Sequence, residues 1–440
     1  MNTIVIVSAV TFLVFALLGR YLYKCIINPI TVFCGLWGFI LLLYSLPLYN
    51  LFPASSEALM LIISGTGMFS LGAFFSTTFF FKTKKNSVIP SIESNSVTIR
   101  YDILLVLNVI SFVFLVGFGF SVIISLISGS NFAYIHKMYN VVDEEGILGA
   151  SSLNRSFVSW IIWPVMHMSL AALAVFSQCD NRSKIPLKKW CAIIIFSNLG
   201  LFTLISGKRS FLVEAIVFFV VVYIMRGKKV KLSRKTKLII IIVAGILVWA
   251  FNYISVGRGS DSIISLFYGY LVGCIPHLSV KLQYMPVSVV GFTSIYGFFH
   301  APITLCNVVL HSELLSNIRD SMSQLVEYTQ QRVFIGQGMT YNAFLTPFYY
   351  FYLDGGWVGN ILLSFLFGLV SMHIYHRFLK KRDMYSIVIY VLLFFSLYMS
   401  MVRFQFFQMR FVLSSFYAYL VVHVRQKRFV FRRSKLNFKV

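Results

Sequence analysis

The sequence has few charged residues for its length. Charged side chains make up 12% of the 440 residues and hydrophobic ones 58%, and the mean hydropathy is +0.81. Soluble domains carry about 25% charged residues, which keep their surfaces in water. The composition therefore excludes a soluble protein and predicts a chain that crosses a membrane several times.

The motifs of several common chemistries are also missing. The chain has no phosphate-binding loop of the Walker A type, no GxSxG nucleophile turn and no HExxH zinc pair. The short connections assigned below to the outer face lack a DxD or ExD pair for a metal ion, and the six cysteines show no CxxC spacing. We therefore expect no metal and no cofactor, and ATP, zinc and hydride chemistry are disfavoured.

Long apolar runs are abundant instead. Runs of roughly 17 to 25 residues can cross about 30 Å of hydrocarbon as a helix. Eleven such runs occur, near residues 3–19, 31–48, 58–81, 103–127, 157–178, 189–206, 211–225, 238–255, 357–375, 385–402 and 404–424. The predicted fold is all-α, a polytopic helical membrane protein with about eleven transmembrane helices.

Positive charge is concentrated in alternate connections between these runs. Of the 38 Lys and Arg residues, 28 fall in alternate connections and in the tail, which the positive-inside rule assigns to the cytoplasmic side. The N-terminus is then outside and the C-terminus cytoplasmic. Because this rule accounts for most of the formal net charge of +24, we expect the lipid bilayer as a partner and no nucleic acid.

One outer connection, 256–356, is much longer than the others. Loops of this length in a compact protein are usually functional, so this one is the candidate working domain. Its semi-apolar parts, 263–280 and 286–310, predict helices lying in the outer interface, or alternatively a further pair of spans. The chain then divides into a transmembrane bundle (1–255), the large outer loop (256–356), C-terminal transmembrane helices (357–424) and a basic tail (425–440).

Ten basic residues lie on the outer side, against the charge rule. Arg403 and Arg410 are seven residues apart, which predicts that both guanidinium groups share one helical face to within about 20°. Gln405 and Gln408 add polar groups that lipid would reject, so this face is predicted to line a protein-enclosed cavity. Snorkelling of both arginines to the interface is the competing interpretation.

The short connection 206–210 places two more basic residues at the outer surface. Arg209 is suited to binding phosphate through its planar fork, whereas Lys208 is as well explained by snorkelling to lipid phosphates. Glu214 follows within an apolar run, where an ionisable side chain is functional by default. We predict that Glu214 orients Arg209 by an ion pair.

In the large loop, two arginines have polar or flexible neighbours. Arg258 lies between Gly257 and Gly259, where the backbone can approach a ligand closely. Arg332 follows two glutamines. Each is a weak signal alone, but together with the arginines above they predict an anion site on one membrane face.

Candidate proton acceptors are few on the outer side. His300, Glu327 and Asp354 are the side chains that could activate a hydroxyl nucleophile, although a structural role competes for each. His167, deep in an apolar run, is interpreted as a core histidine. The six tryptophans, Trp37 and Trp163 among them, are interpreted mostly as interface anchors.

Several short motifs, in this order, resemble those of one family. They are Asn28-Pro-Ile-Thr-Val-Phe with Gly35-Leu-Trp-Gly and Leu43-Tyr, Ser206-Gly-Lys-Arg-Ser210, Phe267-Tyr-Gly-Tyr-Leu-Val-Gly, Thr340-Tyr-Asn-Ala-Phe, and Tyr352-Leu-Asp-Gly-Gly-Trp-Val-Gly359. In these motifs the chain resembles the O-antigen, or oligosaccharide repeat-unit, polymerases (Wzy-type). It departs from them where Asp354 is followed by Gly-Gly rather than Phe-Gly.

The resemblance implies a glycosyltransferase of the bacterial inner membrane, and a GT-C-like architecture is compatible with it. Such an enzyme transfers a glycan from undecaprenyl pyrophosphate to the nonreducing end of another lipid-linked repeat unit on the periplasmic face. Donor and acceptor are then both lipid-linked oligosaccharides, and a chain-length regulator and a flippase are the further partners suggested.

The expected roles follow from this chemistry. Arginines can stabilise a departing diphosphate without a metal, and the residues expected in catalysis are Arg209, Arg258, Arg410, Glu327 and His300. The residues expected to bind substrate are Arg332, Arg403, Lys208, Glu214, Asn342 and Asp354.

Three other functions fit parts of the pattern. An O-antigen ligase type of transferase shares the donor and compartment but uses a different acceptor. A flippase for polyprenol-linked glycans also needs basic residues facing a cavity, but it should have about twelve or more evenly spaced spans and no long outer domain. A structural subunit of the export machinery would need no essential outer arginine.

Overall fold

A computed structural model gives the architecture of the protein. The structure describes residues 2–46, 48–80, 97–129, 152–177, 185–206, 210–225, 263–283, 291–337, 339–341, 345–381 and 383–424. The predicted span near 238–255 and the basic tail from residue 425 lie outside the described residues.

Helices dominate the described chain. In order they are α1 (Asn2–Tyr23), α2 (Pro29–Tyr44), α3 (Ser56–Phe80), α4 (Tyr101–Ile127), α5 (Ser152–Phe157), α6 (Trp163–Ser177), α7 (Ile185–Ser206), α8 (Ser210–Met225), α9 (Ile263–Val272), α10 (Cys274–Gln283), α11 (Tyr296–Leu310), α12 (Glu313–Gln330), α13 (Pro347–Lys381), α14 (Met384–Tyr398) and α15 (Met409–Val421). A π-helical turn, Val158–Ile162, joins α5 to α6. Ten of the eleven predicted spans coincide with helices in this series.

Seven helical stretches among the described residues are long and apolar enough to cross a membrane. They are Thr3–Tyr23, Ser56–Phe79, Asn154–Ser177, Pro186–Ser206, Thr293–Leu310, Pro347–Lys381 and Met384–Met401, with shorter apolar helices at Pro29–Tyr44, Tyr101–Gly117, Ser210–Met225 and Met409–Val421. The prediction of a helical membrane protein is confirmed at this level. Thr293–Leu310 was not among the predicted spans, and its length and composition are those that the alternative of added spans requires.

Two small sheets depart from a purely helical fold. β1 (Val97–Ile99) pairs antiparallel with β4 (Val422–Val424), and β2 (Val333–Gly336) pairs antiparallel with β3 (Met339–Tyr341), with an irregular register at its turn. The second sheet contacts the α2–α3 connection, where Phe52 N donates to Ile335 O at 2.8 Å. Part of the large loop is therefore held on the transmembrane bundle.

The first resembling motif has a structural explanation. Asn28 caps α2: its side-chain oxygen accepts from Thr31 N at 2.9 Å, and its amide donates to Cys25 O at 2.7 Å. Pro29 then occupies the first helical position, where its missing N–H leaves no intrahelical bond unmade. Asn28-Pro-Ile-Thr31 therefore starts a helix rather than forming a site.

Glycine brings α3 and α13 unusually close. A Cβ on Gly72 would overlap Phe365 O, and one on Gly368 would overlap Phe69 O. Small residues at such crossings let two helix backbones approach, which is how helices pack in lipid. The two helices form a rigid centre on which the rest of the bundle is built.

Side-chain contacts show which helix ends meet. Tyr23 Oη, at the end of α1, hydrogen-bonds to Thr77 Oγ1 (2.8 Å) and His376 Nε2 (2.7 Å), near the ends of α3 and α13. The guanidinium of Arg377 lies 5.7 Å from the Tyr385 ring centroid. The C-terminal ends of α1, α3 and α13 therefore lie at one end of the bundle, as the charge pattern predicts, and the assignment of that end to the cytoplasm stays a prediction.

Candidate functional site

Helical structure is interrupted between α14 and α15, and this break in the helix forms the candidate site. α14 ends at Tyr398, two 3-10 turns follow at Met399–Met401 and Gln405–Phe407, and α15 begins at Met409. The prediction that Arg403 and Arg410 share a face of one helix is therefore wrong. Arg403 lies in the irregular segment and Arg410 in the first turn of α15.

Arg410 is held by an amide and an indole ring. Its Nε and Nη2 both donate to Gln408 Oε1, at 3.0 and 2.6 Å. Its guanidinium carbon lies 3.6 Å from the centroid of the Trp163 ring, which is a close cation–π contact. These two partners orient the fork without neutralising its charge.

Trp163 follows the π-helical turn Val158–Ile162 directly. Such turns add a residue to a helix and are frequent at functional sites because they re-aim a side chain. Trp163 is 5% exposed, so the interpretation of this tryptophan as an interface anchor is wrong. Trp37 is fully buried as well, and its Nε1 donates to Ser400 Oγ at 3.2 Å beside the break.

Arg403 and Arg410 remain close although they are not on one helix. The charge of Arg403 acts electrostatically on Arg410 and on the hydroxyl of Tyr350. Tyr350 packs on the irregular segment through Phe407, at 4.6 Å between ring centroids. Burial lowers the pKa of Arg403 to about 10, so this side chain is charged at neutral pH but incompletely solvated.

Helix α11 forms one wall of the site. A Cβ on Gly297 would overlap Phe406 O, so the helix touches the irregular segment backbone to backbone. One turn later, His300 stacks on Tyr296 with 5.1 Å between ring centroids, and Tyr296 contacts Phe407 at 6.1 Å. His300 is thus linked to the irregular segment through Tyr296.

Asp354 positions that wall. Its two carboxylate oxygens accept hydrogen bonds from Thr293 N (2.5 Å) and Ser294 N (2.9 Å), at the start of the helical stretch that includes α11. A carboxylate at a helix N-terminus satisfies free N–H groups and complements the helix dipole. Asp354 thus has a capping role, which leaves it poorly placed to accept a substrate proton.

The Gly-Gly departure from the family pattern lies next to Asp354. Gly355 and Gly356 are not helical within α13, and Gly356 has φ 59° and ψ −142°, a region reserved for glycine. This break turns the chain between the short first part of α13 and its long second part. The departure therefore coincides with a backbone turn that only glycine adopts without strain.

Besides Glu214, the structure describes two of the remaining predicted residues, and neither is hydrogen-bonded or ion-paired to the break. Glu327 and Arg332 are both exposed, on α12 and just after it. Lys208, Arg209, Arg258 and Asn342 lie outside the described residues. Among the described residues, the candidate site therefore consists of Arg403 and Arg410, with His300 on the adjoining wall.

Glu214 is paired with His167 in the interior of the bundle. Its Oε1 lies 2.5 Å from His167 Nδ1, and the two residues are 1% and 7% exposed. The Glu214 carboxylate is therefore buried and orients an imidazole, and Arg209, the partner predicted for it, lies outside the described residues. The signal was available in the sequence, since ionisable groups within apolar helices generally pair with one another.

Lys281, one of the ten outer basic residues, is not an ordinary loop charge. The residue is 2% exposed, its Nζ donates to Tyr328 O at 2.6 Å, and the ammonium lies 4.0 Å from the Tyr328 ring centroid. Tyr328 Oη donates back to Lys281 O at 3.0 Å. These two reciprocal hydrogen bonds join α10 to the last turn of α12, where a cation complements the helix dipole.

His277 lies one turn before Lys281 and is fully buried, with no hydrogen-bond partner for either ring nitrogen among the described residues. Burial, together with the charge of Lys281, lowers the pKa of His277 from 6.5 to about 3. The unfolded chain then binds a proton at higher pH than the folded chain does. The contribution of His277 to the stability of the folded protein is therefore complete above about pH 6.5 and is lost as the pH falls toward 3.

We expect His277→Leu to make folding less sensitive to acid, because it removes this proton uptake and two unsatisfied nitrogens. Thermal unfolding in detergent at pH 8 and pH 5 measures the effect. The Tm of the variant should exceed that of the wild type by more at pH 5 than at pH 8. An equal difference at both pH values would contradict the assignment.

Comparison with protein-family models, with curated proteins and with solved structures gives no match, so the family resemblance rests on the motifs of the sequence alone.

Proposed function

We propose that this protein is an O-antigen polymerase, a metal-independent glycosyltransferase that joins lipid-linked repeat units on the periplasmic face of the bacterial inner membrane. The observation that carries the proposal is the pair Arg403 and Arg410 at the break between α14 and α15. Undecaprenyl-pyrophosphate-linked oligosaccharides are the proposed donor and acceptor.

The backbone at the break supports a ligand site. At membrane depth, non-helical chain is tolerated only where protein encloses it or where it lines an aqueous cavity. The segment 399–408 interrupts two apolar helices and carries two arginines and two glutamines. A polar ligand at the membrane surface explains why these side chains are kept there.

The charge at the break fits the chemistry of a diphosphate. When a glycosidic bond to a lipid diphosphate breaks, negative charge grows on the leaving phosphate oxygens. Guanidinium groups fixed in place stabilise this charge, and that of Arg410 is already oriented by Gln408 and Trp163. The two arginines therefore supply what a metal ion supplies in other transferases.

One experiment tests this proposal directly. The purified protein, reconstituted in liposomes, is given one defined lipid-linked repeat unit with EDTA present, and products are separated by size. A ladder of polymer lengths is expected. An intact substrate would refute the proposal, and a single transfer only to an added lipid A core acceptor would indicate a ligase instead.

A further inference from the structure

We infer that His167 and Glu214 form a dyad in which His167 accepts the proton of the attacking sugar hydroxyl. This inference rests on the proposed function and adds the proton acceptor that the arginines do not provide. His167 is one helical turn from Trp163, on which Arg410 stacks.

The geometry of the pair is that of an oriented base. Glu214 Oε1 and His167 Nδ1 are 2.5 Å apart, so the carboxylate fixes the ring and leaves Nε2 as the second nitrogen. Among the described residues none is hydrogen-bonded to Nε2, and this atom is not completely buried. A carboxylate on one imidazole nitrogen holds the tautomer whose other nitrogen accepts a proton.

Aromatic contacts connect the dyad to the arginine site. The ring of Phe211 lies 4.8 Å from the His167 ring and 5.5 Å from Trp163, measured between centroids. Phe411, which follows Arg410 in the chain, lies 6.0 Å from the His167 ring. The dyad and the arginine thus belong to one packed unit of α6, α8 and α15.

Among the described residues, few charged groups face His167. Helix α8 contributes Glu214, and α15 contributes Arg410 through Trp163. Helix α14 contributes the neutral ring of Phe395, and α7 contributes that of Phe202 against Trp163. The charge state of the dyad is therefore set by Glu214 and by whatever anion Arg410 holds.

The other candidate bases have poorer positions. Both oxygens of Asp354 are taken by backbone N–H donors, and Glu327 is exposed on α12. His300 stacks on Tyr296 but has no carboxylate hydrogen-bonded to it among the residues that the structure describes. His167 is the imidazole with an orienting carboxylate in this part of the chain.

The step balances as follows. The acceptor hydroxyl oxygen bonds to the anomeric carbon of the donor as its proton passes to His167 Nε2. The bond from that carbon to the diphosphate oxygen breaks, and the electron pair leaves with the diphosphate, next to Arg403 and Arg410. The imidazolium, stabilised by Glu214, then returns its proton to water.

The test is a pH–rate profile of transfer by the reconstituted protein, with donor binding measured on the same samples. Wild type should lose rate at low pH as one group protonates. His167→Gln should be about 10²-fold slower and lose this acid limb, while donor affinity stays within about threefold. Glu214→Gln keeps the side-chain shape, and it should slow transfer and move the limb.

A matched control is His376→Gln, which makes the same change in a buried histidine paired with Tyr23 at the other end of the bundle. It should keep both the rate and the acid limb. A His167→Gln enzyme of normal rate, or one with an unchanged acid limb, overturns the dyad while the polymerase proposal stands. If His167→Gln does not fold, an unchanged profile in Glu214→Gln overturns it, whereas an inactive wild type overturns the proposed function itself.

Discussion

Replacing Arg410 by alanine should lower the rate of glycan transfer roughly 10²- to 10³-fold, the usual cost of removing a donor that acts on charge developing in a transition state. The guanidinium is held by Gln408 and stacked on Trp163, so little of its orientation must be established when substrate binds. Arg410→Lys keeps the charge but loses the two-pronged fork, so we expect only partial recovery.

The measurement is polymer yield and initial rate with a defined lipid-linked repeat unit. Arg100→Ala is the control, because this exposed arginine pairs with Asp102 at 3.5 Å and should contribute little. Arg410→Ala with a rate within about threefold of wild type would refute the assignment. Size-exclusion chromatography shows whether Arg410→Ala is folded. If it is not, the transfer rate of Arg410→Lys tests the role of Arg410 instead.

Gly72→Leu should destabilise the protein more than any surface change, by more than about 3 kcal/mol. Even the Cβ of a side chain at Gly72 would overlap Phe365 O, which is backbone and cannot rotate away. Accommodation requires α3 and α13 to separate, which breaks the mutual contact at Gly368 and Phe69 as well. We expect little folded protein and a Tm lower by more than about 5 °C in whatever is recovered.

Gly67→Leu is the matched control on the same helix. A Cβ there meets no atom within 4 Å, so the same change in chemistry and propensity adds no overlap. Folded yield and Tm in detergent compare the two variants. Equal behaviour would show that α3 and α13 are not packed as described.

Local pattern was sufficient to predict the helices but not their interruptions. The apolar runs matched helices because length and hydropathy are properties of the segment itself. The break between Arg403 and Arg410 contains neither proline nor glycine, so nothing local marks it. It packs against Gly297, about a hundred residues away along the chain. Hydrophobic periodicity is a local property and does not report such a contact.

The candidate site was likewise predicted only in part from the sequence. Arg403 and Arg410 were identified because positive charge outside the cytoplasmic connections is unusual, and His300 because an imidazole can accept a proton. Glu214 was assigned to Arg209 because the two are close in sequence, whereas its partner His167 is close only in space. Asp354 was a candidate base until its contact with Thr293 showed the helix that it caps.

The β1–β4 sheet has a consequence for how the protein is made. Val97 pairs with Val424, and Arg100 N donates to Val421 O at 2.9 Å. Chains emerge from the ribosome N-terminal part first, so β1 and the start of α4 wait without this partner until β4 has been synthesised. The last of the described helices, α15, also brings Arg410 to Trp163, so this sheet and the arginine site form in the same late step.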